Sequence, residues 1–397
     1  MAVVLGDSFL IFGSVSTIIG KYFVFDSIFF YLVLLVTILG VYSQLSFSYL
    51  ITYEIKLYLC LSLIFSILCF SINHSIFFWC FYELSMLPLL FLIFKESPYS
   101  ERFLAGWYFA CYLLITSLPL ILLLIYLSVL NGSFFFSEWV VGSANHLILI
   151  LLSFVFFTKV PLVPFHTWLP IVHAEAISIV SIFLSGYIMK LGLLGVYRCS
   201  YFIFNFGIIF YLFLCFIFSV FFFITACGEL DGKRWLAFLS LAHIVIPFFA
   251  LFISDWLSIN YCFFYCLGHG VSAGLVFGLL WYLYDLCNSR NWLLIKNSIN
   301  GKGVMLMVVV SLLSLCSFPP TIQFFCEVGL IKFSSSLYTY VLFWCIYLFL
   351  GGLIPLVLCG HILIRSENQE NFSCSLYNYL NFLFYLVMWC YLGVFLL

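Results

Sequence analysis

The chain has 397 residues, of which 66% are hydrophobic, 22% aromatic and 7% charged, with 14 Lys and Arg against 15 Asp and Glu for a net charge of −1. An ordinary soluble domain carries roughly a quarter charged residues, so this sequence cannot cover its own surface with polar groups. The balance excludes a soluble enzyme, a disordered segment and a nucleic-acid binder, which needs a basic run that this sequence lacks. What remains is a polytopic membrane protein whose helices are apolar on most faces and must meet lipid or one another.

A helix needs ~20 residues to cross the hydrocarbon core. Cutting the chain at its polar clusters places spans at 3–19, 24–42, 57–72, 76–94, 103–130, 146–171 and 177–197. Further spans follow at 201–227, 235–253, 258–286, 303–334, 337–364 and 376–397, about thirteen in all. The first, in MAVVLGDSFLIFGSVSTIIGKY, has no basic leading region and no convincing cleavage site, so it reads as a retained span, and no Arg-rich transit peptide precedes it. The apolar runs are continuous rather than alternating, which argues against a strand barrel. The expected class is an all-α polytopic membrane protein. Four regions are expected: N-terminal helices over 1–75, a first repeat over 76–230, the core of a second over 231–336, and C-terminal helices over 337–397.

With that cut, Lys56, Lys95, Arg102, Lys233, Arg234, Arg290, Lys296, Lys302 and Arg365 fall on one side, and Lys21, Arg198 and Lys332 on the other. The basic excess marks the first side as cytoplasmic or matrix, with the N-terminus there and the C-terminus opposite. The 16 cysteines are scattered singly in apolar stretches, with Cys262 and Cys266 in YCFFYC the nearest pair, so they read as small packing residues rather than a disulfide, zinc or iron–sulfur framework. Lys95, Glu96, Glu101 and Arg102 read as a solvated loop, and Lys21 and Lys332 as snorkelling residues at span ends.

Two spans are expected to break. TKVPLVPFHTWLP holds Pro161, Pro164 and Pro170, and CSFPPTIQFFCE holds Pro319 and Pro320. Proline removes a backbone donor and clashes with the preceding turn, and irregular backbone at membrane depth survives only where protein or water covers it. The breaks lie in the sixth and eleventh spans, hence in helices of opposite direction, the mark of two inverted-topology repeats. Each brings a charge, Lys159 in the first and Glu327 in the second.

Four charges sit too deep to be loop residues: Glu83, Lys159, Lys190 and Glu327, on four separate spans. Each costs ~2.5–3.5 kcal/mol or more at a helix centre and needs a partner or a hydrated path. An ion pair such as Glu83 with Lys159 would serve as glue alone. A row on four spans suits lateral proton transfer better, because moving one charge shifts the proton affinity of the next. His243 and His269 lie in apolar spans and suit intermediate steps. His166, His173 and Glu175 cluster after the first break, but without a H-E-x-x-H motif and with Pro170 between them they do not read as a metal site.

At these residues the sequence resembles the antiporter-like membrane subunits of respiratory complex I, the NADH:ubiquinone oxidoreductase. The resemblance is carried by KVPLVPFHTWLPIVHAEA from Lys159, MKLGLLGVYR from Met189, YELSMLP from Tyr82, DGKRWLAFLSLAH from Asp231, GHGVSAGLVFG from Gly268 and FPPTIQFFCE from Phe318. It implies that Glu83 and Lys159 form a charge pair that gates or drives pumping, that Lys190 is the central relay lysine, that His243 and His269 continue the path and that Glu327 is the distal group. Glu at 327 points to the chain 4 type within that family, since the chain 2 and chain 5 types typically carry Lys there. Asp231 and Lys233 match a family motif at a span end, where a structural or interface role is expected. The family typically has fourteen spans with the glutamate on its fifth; here Glu83 falls on the fourth, as though one N-terminal span were missing, in keeping with a matrix-side N-terminus. The usual EAP reads EAI at Glu175–Ile177, and Lys332, five residues after Glu327, is an additional candidate partner for it.

The resemblance further implies a proton-translocating subunit of the mitochondrial inner membrane that holds no redox centre, with NADH, FMN, iron–sulfur clusters and ubiquinone bound by partner subunits. The implied partners are other complex I membrane subunits, especially antiporter-like chains 2 and 5, and membrane lipid. The rival readings are a subunit of a free-standing multisubunit cation/proton antiporter and a non-pumping assembly scaffold. The bacterial plasma membrane is the alternative location.

Overall fold

The computed structural model describes residues 17–19, 21–139, 146–200, 208–253, 256–299, 301–364 and 376–396. Ten of the described helices are long and apolar enough to cross a membrane. In chain order the helices begin with α1 Ser27–Ser46, α2 Tyr53–Ser71, α3 Ser75–Glu96 and α4 Arg102–Asn131. The first broken crossing follows as α5 His146–Lys159 and α6 Trp168–Glu175. Next come α7 Ser178–Cys199, α8 Ile209–Gly228, α9 Gly232–Ile253 and α10 Trp256–Cys287. The short α11 Trp292–Ser298 leads to the second broken crossing, α12 Lys302–Leu315 and α13 Ile322–Ser334, and the chain closes with α14 Tyr338–Leu363 and α15 Leu376–Leu392. The expected crossings from 24–42 onward are all present, and both proline-rich segments do break their helices. The chain is an all-α polytopic membrane protein.

The span expected at 3–19 lies outside the described residues except for Thr17–Ile19, which form a strand, β1, antiparallel to β2 Phe23–Phe25. This hairpin departs from the all-helical expectation. The helix expected from residue 24 accordingly starts at Ser27, where the Asp26 carboxylate accepts the Phe29 amide at 2.8 Å and satisfies one of the free first-turn donors.

Two helices form the centre. The membrane-crossing windows of α7 and α10 are wholly buried, whereas α14 buries only 33% of its window and α8 39%. α10 packs against α1, α7, α9, α12, α13 and α15, and α7 lies against α5 and α1. In lipid there is no hydrophobic gain from bringing two apolar helices together, so close packing at small residues does the work. A Cβ on Gly192 of α7 would stand 2.7 Å from Val160 Cγ2 and 3.1 Å from the Val160 backbone nitrogen, and one on Gly195 would overlap the Phe156 ring. These two glycines set α7, which carries Lys190, directly on the end of α5 that carries Lys159.

Ion pairs stand at both ends of the bundle. Lys95 pairs with Glu54 at one end, where Arg290 also meets Asp231, and Arg198 pairs with Asp26 at the other. Gly195→Ala should therefore destabilise the bundle by about 1–3 kcal/mol through overpacking. Thermal denaturation of the detergent-solubilised complex measures it, and shrinking the opposing ring with Phe156→Leu should recover part of the loss.

Candidate functional site

The first break is built around freed backbone groups. α5 ends at Lys159, and the next residues turn back before α6 begins at Trp168. The Trp168 indole donates to the Thr158 carbonyl at 3.0 Å, and the Tyr211 hydroxyl of α8 donates to the Val163 carbonyl at 2.6 Å. The Leu162 amide reaches the Phe157 carbonyl at 3.1 Å and the Phe165 amide the Leu162 carbonyl at 2.7 Å. Side chains thus replace the lost helical bonds, which is what allows irregular backbone inside the bundle. Pro170 does not interrupt α6 as the sequence implied. It falls in the first helical turn, where a missing N–H leaves no bond unmade.

Lys159 is completely buried at this break. Its ammonium donates to Glu83 Oε1 of α3 at 3.0 Å and lies 4.0 Å from the centre of the Tyr82 ring. The charge is met by a carboxylate and a π face, the two partners best suited to a desolvated cation. Lys190, also fully buried, sits just beyond a π-helical turn at Leu184–Ile188, and its ammonium donates to the Ser185 carbonyl of that turn. Among the described residues no hydrogen bond joins Lys159 to Lys190.

On the far side of Lys190 lies a second polar cluster. The rings of His243 on α9 and His269 on α10 are 5.4 Å apart, and His269 Nδ1 is 3.2 Å from Gln323 Nε2 of α13. His243 Nδ1 meets the Tyr347 hydroxyl of α14 at 2.5 Å and the Tyr265 hydroxyl of α10 at 3.4 Å. The two hydroxyls are 3.2 Å apart, and Tyr265 reaches Glu327 Oε1 at 3.4 Å. Glu327 also accepts the Ser317 hydroxyl at 2.9 Å, and Ser317 holds a left-handed backbone (φ 51°) in the second break, an uncommon state outside glycine. A Cβ on Gly268 would stand 2.9 Å from Ile322 Cγ2, so the glycine lets α10 close on the start of α13 beside this cluster.

A charged knot closes one end. Arg290 stands 3.3 Å from Asp231 and 3.7 Å from Glu175, donates to the Ala174 carbonyl, and lies 4.2 Å from the centre of the Tyr99 ring. Burial pushes the Tyr99 phenol above its ordinary range, so this ring stays neutral and meets Arg290 as a π face. Lys233, itself buried, donates to the Ala176 carbonyl at 2.8 Å. The DGK stretch therefore ties α9 to the end of the first broken crossing. At the opposite end Arg198 pairs with Asp26 at 3.0 Å.

The sequence model of the NADH:quinone oxidoreductase/Mrp antiporter transmembrane proteins matches residues 72–354, which contain every group just described except Asp26. The chain belongs to this antiporter family. It is similar to NADH-ubiquinone oxidoreductase chain 4 of Locusta migratoria, 29% identical over 325 residues, covering 77% of this chain and 70% of that one. It is similar to chain 4 of Rhipicephalus sanguineus, 28% identical over 288 residues and 70% and 66% of the two chains. Chain 4 of Ceratitis capitata is 29% identical over 277 residues, 68% of this chain and 62% of the relative. The chain thus spans about two thirds of the length of these relatives. The fold is that of a chain in respiratory complex I from Thermus thermophilus (18% identical, TM-score 0.81, 94% of this chain and 82% of that chain). It is also that of a chain in the Mrp complex from Dietzia sp. DQ12-45-1b (17% identical, TM-score 0.74, 88% and 68%). The resemblance to the chain 4 type read from six motifs stands.

Of the candidate residues in this antiporter-family chain, Glu83 and Lys159 come together directly, and His243, His269 and Glu327 gather in one cluster. Lys332 does not pair with Glu327: five residues on a helix turn it to another side, and it is exposed while Glu327 is buried. His166 packs on the Phe222 ring at 4.8 Å and His173 stacks on Phe277 at 4.9 Å, while Glu175 turns to Arg290. Among the described residues no group of three or more His, Cys, Asp or Glu is placed to hold a metal ion. Sequence reasoning missed Tyr265, Tyr347, Ser317 and Gln323. Tyr265 was within reach of it, four residues before His269 and so on the same helix face. Tyr347 carried no signal, since nothing ionisable flanks it on α14.

Glu83→Gln should destabilise the protein by about 3–5 kcal/mol, because it strands the buried Lys159 ammonium. The pair Glu83→Gln with Lys159→Met should cost clearly less than either change alone. Thermal denaturation of the three variants in detergent checks the coupling, and simple additivity would refute a direct pair.

Proposed function

We propose that the chain is a proton-translocating core subunit of respiratory NADH dehydrogenase, complex I, in the mitochondrial inner membrane. It carries protons through Glu83, Lys159, Lys190, His269, His243 and Glu327 while partner subunits conduct electrons from NADH to ubiquinone. The reading rests above all on one observation: the wholly buried Lys190 lies on α7, which packs against the helix of the Glu83–Lys159 pair at 3.0 Å and against α10 of the polar cluster ending on Glu327, inside an otherwise apolar bundle. Buried titratable groups on separate helices are expensive, and a transfer path is a use that repays them.

The chemistry is electrostatic. Two unit charges ~4 Å apart interact by about 4 kcal/mol at the effective dielectric of a protein. Parting Glu83 from Lys159 leaves the ammonium uncompensated, which lowers the proton affinity of Lys190 and favours passing its proton toward His269. No redox step is assigned to this chain. NADH, FMN, iron–sulfur clusters and ubiquinone belong to partner subunits, antiporter-like chains 2 and 5 are its neighbours, and its outer apolar faces meet lipid. Residues 76–230 are assigned to the first half-channel, 231–336 to the core of the second, and the N-terminus to the matrix side. The named relatives support complex I membership, and the fold shared with a Mrp complex chain supports a free-standing cation/proton antiporter as the second reading.

Lys190→Met in the assembled complex tests the reading. Proton translocation measured by dye quenching in sealed membranes should fall by about tenfold or more. The amount of complex on a blue-native gel should stay near that of the wild type. Full pumping in this variant would leave only a scaffold role, and a chain that does not migrate with NADH dehydrogenase activity would favour the free-standing antiporter.

A further inference from the structure

We infer that the hydroxyls of Tyr265 and Tyr347 form a direct proton bridge between Glu327 and His243, so that two neutral phenols carry the proton across the second cluster. The inference rests on the relay reading above and names the groups that complete it.

The geometry is that of a closed set of contacts. The Tyr347 hydroxyl is 2.5 Å from His243 Nδ1, the two hydroxyls are 3.2 Å apart, and Tyr265 is 3.4 Å from Glu327 Oε1. All four side chains are buried, with exposures of 1% or less, and they come from four elements, α9, α10, α13 and α14. His243 Nε2 and Glu327 Oε2 have no protein partner, so Nδ1 and Oε1 are the atoms that face the hydroxyls. The longer contacts exceed the ~2.7–2.8 Å of a relaxed hydroxyl bond, and a small ring rotation closes them.

A tyrosine hydroxyl donates one proton and accepts another, and this gives the chain two complete orientations. In the first, protonated Glu327 donates to Tyr265, Tyr265 donates to Tyr347, and Tyr347 donates to His243 Nδ1. Moving each proton one place breaks three O–H bonds and forms two O–H bonds and one N–H bond. Glu327 is left a carboxylate, both phenols are again neutral, and His243 becomes an imidazolium that keeps its Nε2 proton. No phenolate forms at any point. With Glu327 ionised and His243 neutral at Nδ1, each hydroxyl must face its own acceptor and the two oxygens oppose each other without a proton between them. The contacts therefore favour the two end states linked by transfer. From His243 the ring of His269 is next, 5.4 Å away, on the side of Lys190.

The bridge is partly redundant. Tyr265 also lies 3.4 Å from His243 Nδ1, so its hydroxyl alone touches both ends, though less closely than the pair. Proton translocation by the assembled complex in sealed membranes should fall about threefold in Tyr265→Phe and in Tyr347→Phe. In the double variant it should fall about tenfold or more, with normal assembly on a blue-native gel. A double variant that assembles and pumps at the wild-type rate overturns the bridge. If the double variant fails to assemble, the singles decide: threefold losses support the bridge, and two wild-type rates overturn it. Glu327→Gln separates the two levels. Loss of pumping there with full pumping in the double Phe variant removes the phenols alone and leaves water as the carrier, whereas full pumping in Glu327→Gln removes the relay reading itself.

Discussion

Hydrocarbon offers no hydrogen bond, and every feature of this molecule answers that constraint. A backbone group freed from a helix or a charge drawn into the bundle must find its partner inside the protein. At the first break the partners are the Trp168 indole, the Tyr211 hydroxyl and, for the Lys159 ammonium, the Glu83 carboxylate and the Tyr82 ring. At the π-helical turn of α7, the Lys190 ammonium finds the Ser185 carbonyl. Irregular backbone and buried charge therefore occur together because each supplies what the other lacks.

The two broken crossings repeat one plan with the charges exchanged. In each, the helix that supplies the partner lies two crossings earlier: α3 with Glu83 for the break at Lys159, and α9 with His243 for the break before Glu327. Base at the break and acid on the neighbour become acid at the break and base on the neighbour. The first pair meets directly at 3.0 Å, whereas the second is joined through the tyrosine hydroxyls. Lys190 lies between them on a helix with no lipid-facing side.

The wholly buried pair α7 and α10 explains why the site is in the middle. Helices that touch lipid spend one face on it, but these two are enclosed by neighbours and can point polar groups in several directions. Their glycines permit this by letting the backbone at the end of α5 and the Ile322 side chain of α13 come close. The charged knot of Glu175, Asp231, Lys233 and Arg290 then ties the end of the first broken crossing to the start of α9.

Composition alone determined that the chain crosses the membrane many times, because a surface so poor in charge has no stable form in water. The prolines located both breaks, and the depth of Glu83, Lys159, Lys190 and Glu327 in apolar runs marked them as the charges the bundle would bury, because the length of an apolar run fixes how far its middle lies from water. The fate of Lys332 and Pro170, the hairpin before Ser27, and the roles of Tyr265, Tyr347, Ser317 and Gln323 were decided only by the tertiary structure. A tyrosine or glutamine in a membrane helix is cheap enough to sit anywhere. Which hydroxyl meets which carboxylate depends on how distant helices rotate against each other, and that is a property of packing between elements far apart in the chain.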